Sequence, residues 1–155
     1  MRYQITNKNY CFYLWLDQDD YEKFVKGYRF RLTKKDYVVY SGTKDGLNNK
    51  SLHRIIMGEL DGKEVDHING NKHDNRRENL RLCNRTENNR NRGKLSTNTS
   101  GFKGVSWHKS KGKWRAVIQV GDGKQKHLGY FDDPETAYQS YCQAATKYHG
   151  NFKHF

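Results

Sequence analysis

The sequence predicts an α+β protein in two parts. The larger N-terminal part mixes short strands and helices, and the small C-terminal part is a three-stranded antiparallel sheet packed on one helix. Three observations carry this prediction. Aromatic residues make up 14% of the 155-residue chain, enough to build packed cores and far above a disordered composition. One stretch, "NNRNRGKLSTNTSG" at 88–101, is polar, basic and nearly free of apolar residues, so its later part reads as an exposed connector. Beyond it, three β-rich runs lead into a helix with marked ends. The domains are therefore placed at 1–94 and 102–152, with 95–101 as linker.

In the first part, "YCFYLWL" (10–16) and "YRFRLTKKDYVVYSG" (28–42) are rich in aromatic and β-branched residues. The second reads as a hairpin turning at Lys34-Lys35-Asp36. "DQDDYEKFV" (17–25) has acids where a helix begins, and "NKSLHRIIMGEL" (49–60) puts Leu52, Ile55 and Ile56 on one helical face. In the second part, "GFKGVSWH", "GKWRAVIQV" and "KQKHLGYF" are the strands, with Gly-Asp-Gly at 121–123 turning the last two. Along the middle strand Trp114, Ala116 and Ile118 alternate with Arg115, Val117 and Gln119, which predicts one dry face and one available face. The helix follows in "DDPETAYQSYCQAATKYHG". Asp133 caps it, Pro134 opens it and Gly150 stops it, and Ala137, Tyr141, Ala144, Ala145 and Tyr148 form its apolar stripe.

The formal charge is +12, which points to a polyanionic partner. Residues 1–83 hold 16 Lys+Arg against 12 Asp+Glu, and residues 84–155 hold 13 against 5, so the shorter part carries twice the excess. Cys11, Cys83 and Cys142 are far apart and form no CxxC pair, which argues against a disulfide framework or a structural zinc and suits a reducing cytosol. The start "MRYQITNKNY" has no signal-peptide core, and "CFYLWL" (11–16) is too short to span a membrane.

The chemistry concentrates in "EVDHINGNKHDNRRENLRLCNRTENN" (64–89). A zinc site drawing on His67, His73 and Cys83 is one ligand short, and a calcium loop would need acids where this stretch has asparagines. Metal-assisted phosphodiester cleavage needs less. A hard cation takes one or two protein oxygens, and a neighbouring imidazole takes the proton from the attacking water. Asp66 beside His67 suits that division. Arg76, Arg77 and Arg81 could touch phosphates or form a solvated face, and His53 and His73 read as structural or solvent-facing.

From Leu52-His53-Arg54 to Asn91, "VDHINGNKHDNRRENLRLCNRTENN" resembles the HNH endonuclease motif, in the branch found in phage and intron-encoded homing endonucleases. The resemblance implies a ββα-metal finger: a strand ending at Asp66-His67, a loop, a strand through Leu80–Cys83 and a helix carrying Asn88. It makes Asp66 and Asn88 the metal ligands, His67 the general base, and Asn79 the residue whose amide fixes the loop and orients His67. Asn88 stands where the family has a third histidine, so the implied cofactor is one hard divalent cation, Mg²⁺ or Mn²⁺, with no structural zinc. Asn69, Asn71 and Asn75 are expected to tolerate left-handed backbone and to bond their own main chain. The N-terminal aromatic segments are expected to wrap the finger.

Residues 100–152, through "KGV", "KWRAVI", "LGYFDDPETAY" and the final "HG", resemble the APETALA-type domain. That domain is known from plant ethylene-response factors and is also found fused to phage HNH nucleases. The family reads DNA with its sheet in the major groove. The outward, DNA-facing candidates here are Lys103, Ser106, His108, Arg115, Val117, Gln119, Gln125 and His127, with Lys111 and Lys113 for the backbone. Several of these positions are arginine in the plant proteins, so the plant target preference does not carry over. The expectation is a monomeric DNA endonuclease acting on double-stranded DNA without a membrane, in the cytoplasm of a bacterium or a phage-infected host. One site would nick one strand. The alternative is a DNA-binding regulator whose nuclease site is vestigial.

Overall fold

The computed structural model describes residues 1–6, 11–58, 60–121 and 123–153. Tyr10 of the first predicted strand, Glu59 of the second predicted helix and Asp122 of the Gly-Asp-Gly turn lie outside the described residues. The structure is mixed helix and sheet, in two compact units, Met1–Asn84 and Arg85–Phe155. Among the described residues, no helix is long and apolar enough to cross a membrane.

The N-terminal unit begins with β1 (Arg2–Thr6) antiparallel to β2 (Cys11–Trp15), which sets Tyr3 opposite Leu14 and Ile5 opposite Phe12. The sequence does not predict β1: only Tyr3 and Ile5 alternate with its polar residues. Helix α1 (Gln18–Phe24) follows, then the hairpin of β3 (Phe30–Leu32) and β4 (Val38–Tyr40). Its turn lies where predicted, with Asp36 at φ 64° and its N–H donating to Thr33 O. Helix α2 (Leu52–Met57) buries Leu52, His53 and Ile56. Ile55 packs half-buried against the core of this unit, and His53, not expected there, is buried as well. Leu14, Leu16, Phe30, Val38, Leu52, Val65 and Leu80 meet in one core, each contributing roughly 1.5–3 kcal/mol by leaving water.

That core sets the position of an antiparallel pair, β5 (Glu64–His67) and β6 (Leu80–Cys83), in which Asp66 faces Arg81 and His67 faces Leu80. Strand β2 holds the intervening loop through its backbone. Trp15 N–H donates to His73 O at 3.0 Å, and Asn75 N–H donates to Trp15 O at 2.8 Å.

The C-terminal unit opens with α3 (Arg85–Asn91). The polar connector follows, then β7 (Val105–His108), β8 (Lys113–Gly121) and β9 (Lys124–Phe131) in the antiparallel order β7-β8-β9, and α4 (Pro134–His149). Asp133 caps α4 by accepting from Thr136 N–H at 2.8 Å. Ala116 and Ile118 are buried, as are Ala137, Tyr141, Ala144 and Ala145 of the helix. Small residues let the helix lie close: a Cβ on Gly104 would come within 2.3 Å of the Tyr141 ring. Tyr148 packs half-buried against the core at the end of the predicted stripe, and His149, which the stripe did not include, is buried beside it.

Candidate functional site

Asp66 and His67 end β5 inside the N-terminal unit, and both are buried. Dry carboxylates need partners, and Asp66 has one in its register neighbour. Arg81 donates to Asp66 Oδ2 through Nε at 2.9 Å and through Nη2 at 2.6 Å. Burial holds the His67 imidazole below the usual histidine range, so it is a neutral base at pH 7. Its Nε2 lies 3.5 Å from Asn75 Oδ1, and its ring meets that of His53 edge-on, with centroids 5.0 Å apart. His53 is pushed down to about 3, first by burial and then by the His67 charge. Tyr37 flanks both rings.

The loop from Ile68 to Asn79 is built by amide side chains. Asn69 Oδ1 accepts from Asn71 N–H at 2.8 Å, and Asn71 Oδ1 accepts from His73 N–H at 3.0 Å, two successive side-chain turns. Asn79 ties the loop across its middle. Its Oδ1 accepts from Asn69 N–H at 3.0 Å and its Nδ2 donates to Asp74 O at 2.7 Å. These bonds run to the loop's main chain, while the amide facing His67 is that of Asn75. Asn75 is fully buried and donates to Lys72 O at 3.1 Å. The expected left-handed asparagines are not seen here: of the described loop residues only Gly70 has positive φ, 73°.

Arg76, Arg77 and Arg81 are all engaged by acids of their own unit. Arg76 grips Asp74 through Nε and Nη2, both at 2.8 Å. Arg77 binds the buried Asp20 at 2.7 Å, while its backbone N–H donates to Asp17 Oδ2. Arg81 holds Asp66. All three are ion-paired; Arg77 is at the same time exposed, as on the solvated face expected, while Arg76 and Arg81 are half-buried. Asn88 lies on α3 and is counted with the other compact unit.

Among the described residues no three His, Cys, Asp or Glu side chains converge as metal ligands. A hard cation taking one or two oxygens and otherwise water asks less of the protein than a closed cage of four donors. The Asp66 carboxylate already holds a cationic guanidinium.

On the C-terminal sheet, strand register gathers the outward residues onto one face. Arg115 lies opposite Ser106 and Tyr130, Val117 opposite His127, Gln119 opposite Gln125, and His108 opposite Lys113. Tyr130, which the sequence does not single out, is central. The rings of His108 and His127 lie 5.1 and 4.5 Å from its own, and Lys111 Nζ sits 4.7 Å from its centroid. Lys113 pairs with Asp132 at 2.9 Å. Lys103 does not stand on this face. It precedes β7, is half-buried, and donates to Arg90 O at 2.5 Å, because the first strand begins only at Val105.

Comparison with known proteins agrees with this two-part plan. A family described as HNH endonuclease matches residues 51–90, and one described as AP2 domain matches residues 100–151. Together they make the chain a DNA nuclease or DNA-binding protein. No solved structure matches the chain. Over 94 residues the chain is 36% identical to Protein 3.8 of Escherichia phage T7, a stretch covering 61% of this chain and 76% of that protein. With an HNH endonuclease segment followed by an AP2 domain, the chain belongs to the family of phage T7 Protein 3.8.

Proposed function

We propose that the chain is a DNA endonuclease of the HNH homing type, a site-selective nickase of double-stranded DNA working as a monomer in a bacterial or phage-infected cytoplasm. The observation that carries this reading is the buried Asp66–His67 pair at the end of β5, within the stretch that matches HNH endonucleases. In this reading the N-terminal strand pair β5–β6 and helix α3 serve as a ββα-metal finger. Asp66 and Asn88 would hold one divalent cation, Mg²⁺ or Mn²⁺, which when bound supplies positive charge to a phosphate in the course of displacement.

His67 acts as the general base. Its desolvated ring is neutral near pH 7 and takes a proton from the attacking water at an imidazole nitrogen. Asn79 keeps the loop after His67 in one shape, and Asn75 and His53 limit the motion of the ring. The sheet face around Arg115, Gln119, Gln125, His127 and Tyr130 supplies target recognition in a major groove, as β-ribbon readers do. With one catalytic set, one strand is cut per binding event.

Nicking of supercoiled plasmid tests this. The expected result is conversion to open circle with Mg²⁺ or Mn²⁺, none with EDTA, and none for His67→Ala. Tight DNA binding with an intact plasmid under all conditions would instead establish the rival reading, a DNA-binding regulator with a vestigial site. That rival is favoured by one observation, the Arg81 guanidinium seated on the Asp66 carboxylate.

A further inference from the structure

A second basic site lies wholly within the C-terminal unit. A cavity of about 620 Å³ is lined by residues that include Arg90 of α3, Lys103, His149 of α4, and Gln119 and Gln125 of the sheet. No Asp or Glu is among the described residues that line it. His149 is only 5% exposed. Its Nε2 lies 2.7 Å from Gln119 O, so Nε2 carries the hydrogen and donates, while Nδ1 is buried without a hydrogen-bond partner among the described residues. Arg90 Nε is buried in the same unsatisfied state. Lys103 Nζ spends one of its three hydrogens on Arg90 O.

Buried polar nitrogens are normally satisfied, and those left over call for an explanation. Here two unsatisfied nitrogens and an ammonium line one cavity. Burial alone pulls the lysine down to about 8. Burial, with the charges of Arg90 and Lys103, also keeps His149 below its usual range. Anionic oxygens would accept from Arg90 Nε and Lys103 Nζ at once, and a ligand that also keeps a P–OH, as free hydrogen phosphate does, would donate that hydrogen to the His149 Nδ1 lone pair; the planar fork of Arg90 suits a tetrahedral oxyanion.

We propose that this cavity is a phosphate-binding site, taking a phosphoryl group supplied by the DNA backbone or by free phosphate. Gln119 and Gln125 belong both to the cavity lining and to the outward sheet face. A duplex lying on that face would therefore present backbone phosphates at the cavity's rim. This choice of source rests on the DNA-binding reading of the sheet, while the site itself does not.

The test uses the full chain and two probes, inorganic phosphate and a short duplex. Phosphate titration followed by NMR should shift the His149 imidazole resonances saturably, and Arg90→Gln should weaken that binding about tenfold. His149→Phe, should it fold, should do the same; Arg90→Gln keeps the question decidable if it does not. If the DNA backbone is the source, Arg90→Gln should also weaken duplex binding at all sequences and lower its salt slope by about 1. Phosphate binding lost in Arg90→Gln with duplex binding unchanged would assign the site to free phosphate. No saturable phosphate effect, together with unchanged duplex binding in Arg90→Gln, overturns the proposal. Wild-type chain that binds phosphate but no duplex leaves the site standing and sinks the DNA-binding reading instead.

Discussion

Asn79 donates its side-chain amide to the carbonyl of Asp74 across 2.7 Å, and both residues are buried. Through this bond and the one from Asn69 N–H, a single amide closes the loop that begins after His67. Asn79→Ala should strand the buried Asp74 carbonyl and free the Asn69 N–H, costing roughly 1–3 kcal/mol. Urea unfolding of the full chain reads that loss. Plasmid nicking should fall further than stability explains, since His67 loses its fixed setting, and unchanged nicking would remove Asn79 from the positioning role.

Arg81 sits where a cation on Asp66 would compete with it. Arg81→Gln should destabilise the chain in EDTA by on the order of 3 kcal/mol, read as a lower melting temperature, because a buried carboxylate loses its charge partner. The rise in melting temperature on adding Mg²⁺ or Mn²⁺ should then exceed that of wild type, as binding to the native state stabilises it. An identical rise in both proteins would mean that the cation does not use Asp66.

The Asp74 carboxyl is held below its usual range, chiefly by the Arg76 guanidinium and also by the Asn69 amide. A group depressed in the folded state stabilises fully above its unfolded pKa of about 3.9 and loses that contribution as pH falls through the folded value. Asp74→Asn should therefore be less stable than wild type at neutral pH. The gap should close as the solution is acidified below about pH 4. Melts across that range check the sign; a gap that widens in acid contradicts the pairing.

Gly104 has φ of 74°, and a Cβ there would meet the Tyr141 ring at 2.3 Å and Val117 O at 2.7 Å. Neither neighbour is the loose end of a flexible side chain. Gly104→Ala should destabilise the chain by on the order of 3 kcal/mol through overpacking and backbone strain. Duplex binding should fall with it, measured by anisotropy at a temperature where wild type is folded.

Arg115 and Lys111 should separate reading from gripping. Arg115→Ala should lower affinity for the cognate site roughly tenfold and relax preference at one base position. Lys111→Ala should weaken all duplexes alike and reduce the salt slope by about 1. Equal effects of Arg115→Ala on every sequence would move that arginine to the backbone class.

The C-terminal unit was legible because its signals are local. Alternation along Trp114–Gln119, the Asp133-Pro134 start and the alanine stripe each act within a few residues, and the register then falls into place. The loop asparagines were legible for the same reason, since Asn69 and Asn71 bond only two residues ahead. What eluded the sequence depends on distant partners. Arg81 meets Asp66 only because a loop of twelve residues, 68–79, returns β6 at one register. His149 turns inward to a carbonyl 30 residues away. Strand β1 was missed because its two apolar residues gain meaning only against Leu14 and Phe12.

The three arginines locked onto Asp74, Asp20 and Asp66 have a consequence for the host. A nuclease whose cutting unit clings to any duplex is a hazard to every chromosome it meets. Here each of those guanidiniums is paired with an acid of its own unit, and the larger excess of positive charge lies with the sheet-bearing unit. Under the proposed endonuclease function, cutting would be confined to places where the sheet-bearing unit has docked, because a tether raises the local concentration of the tethered unit. In that proposed reading, restraint against stray damage would be written into the ion pairs of the N-terminal unit itself.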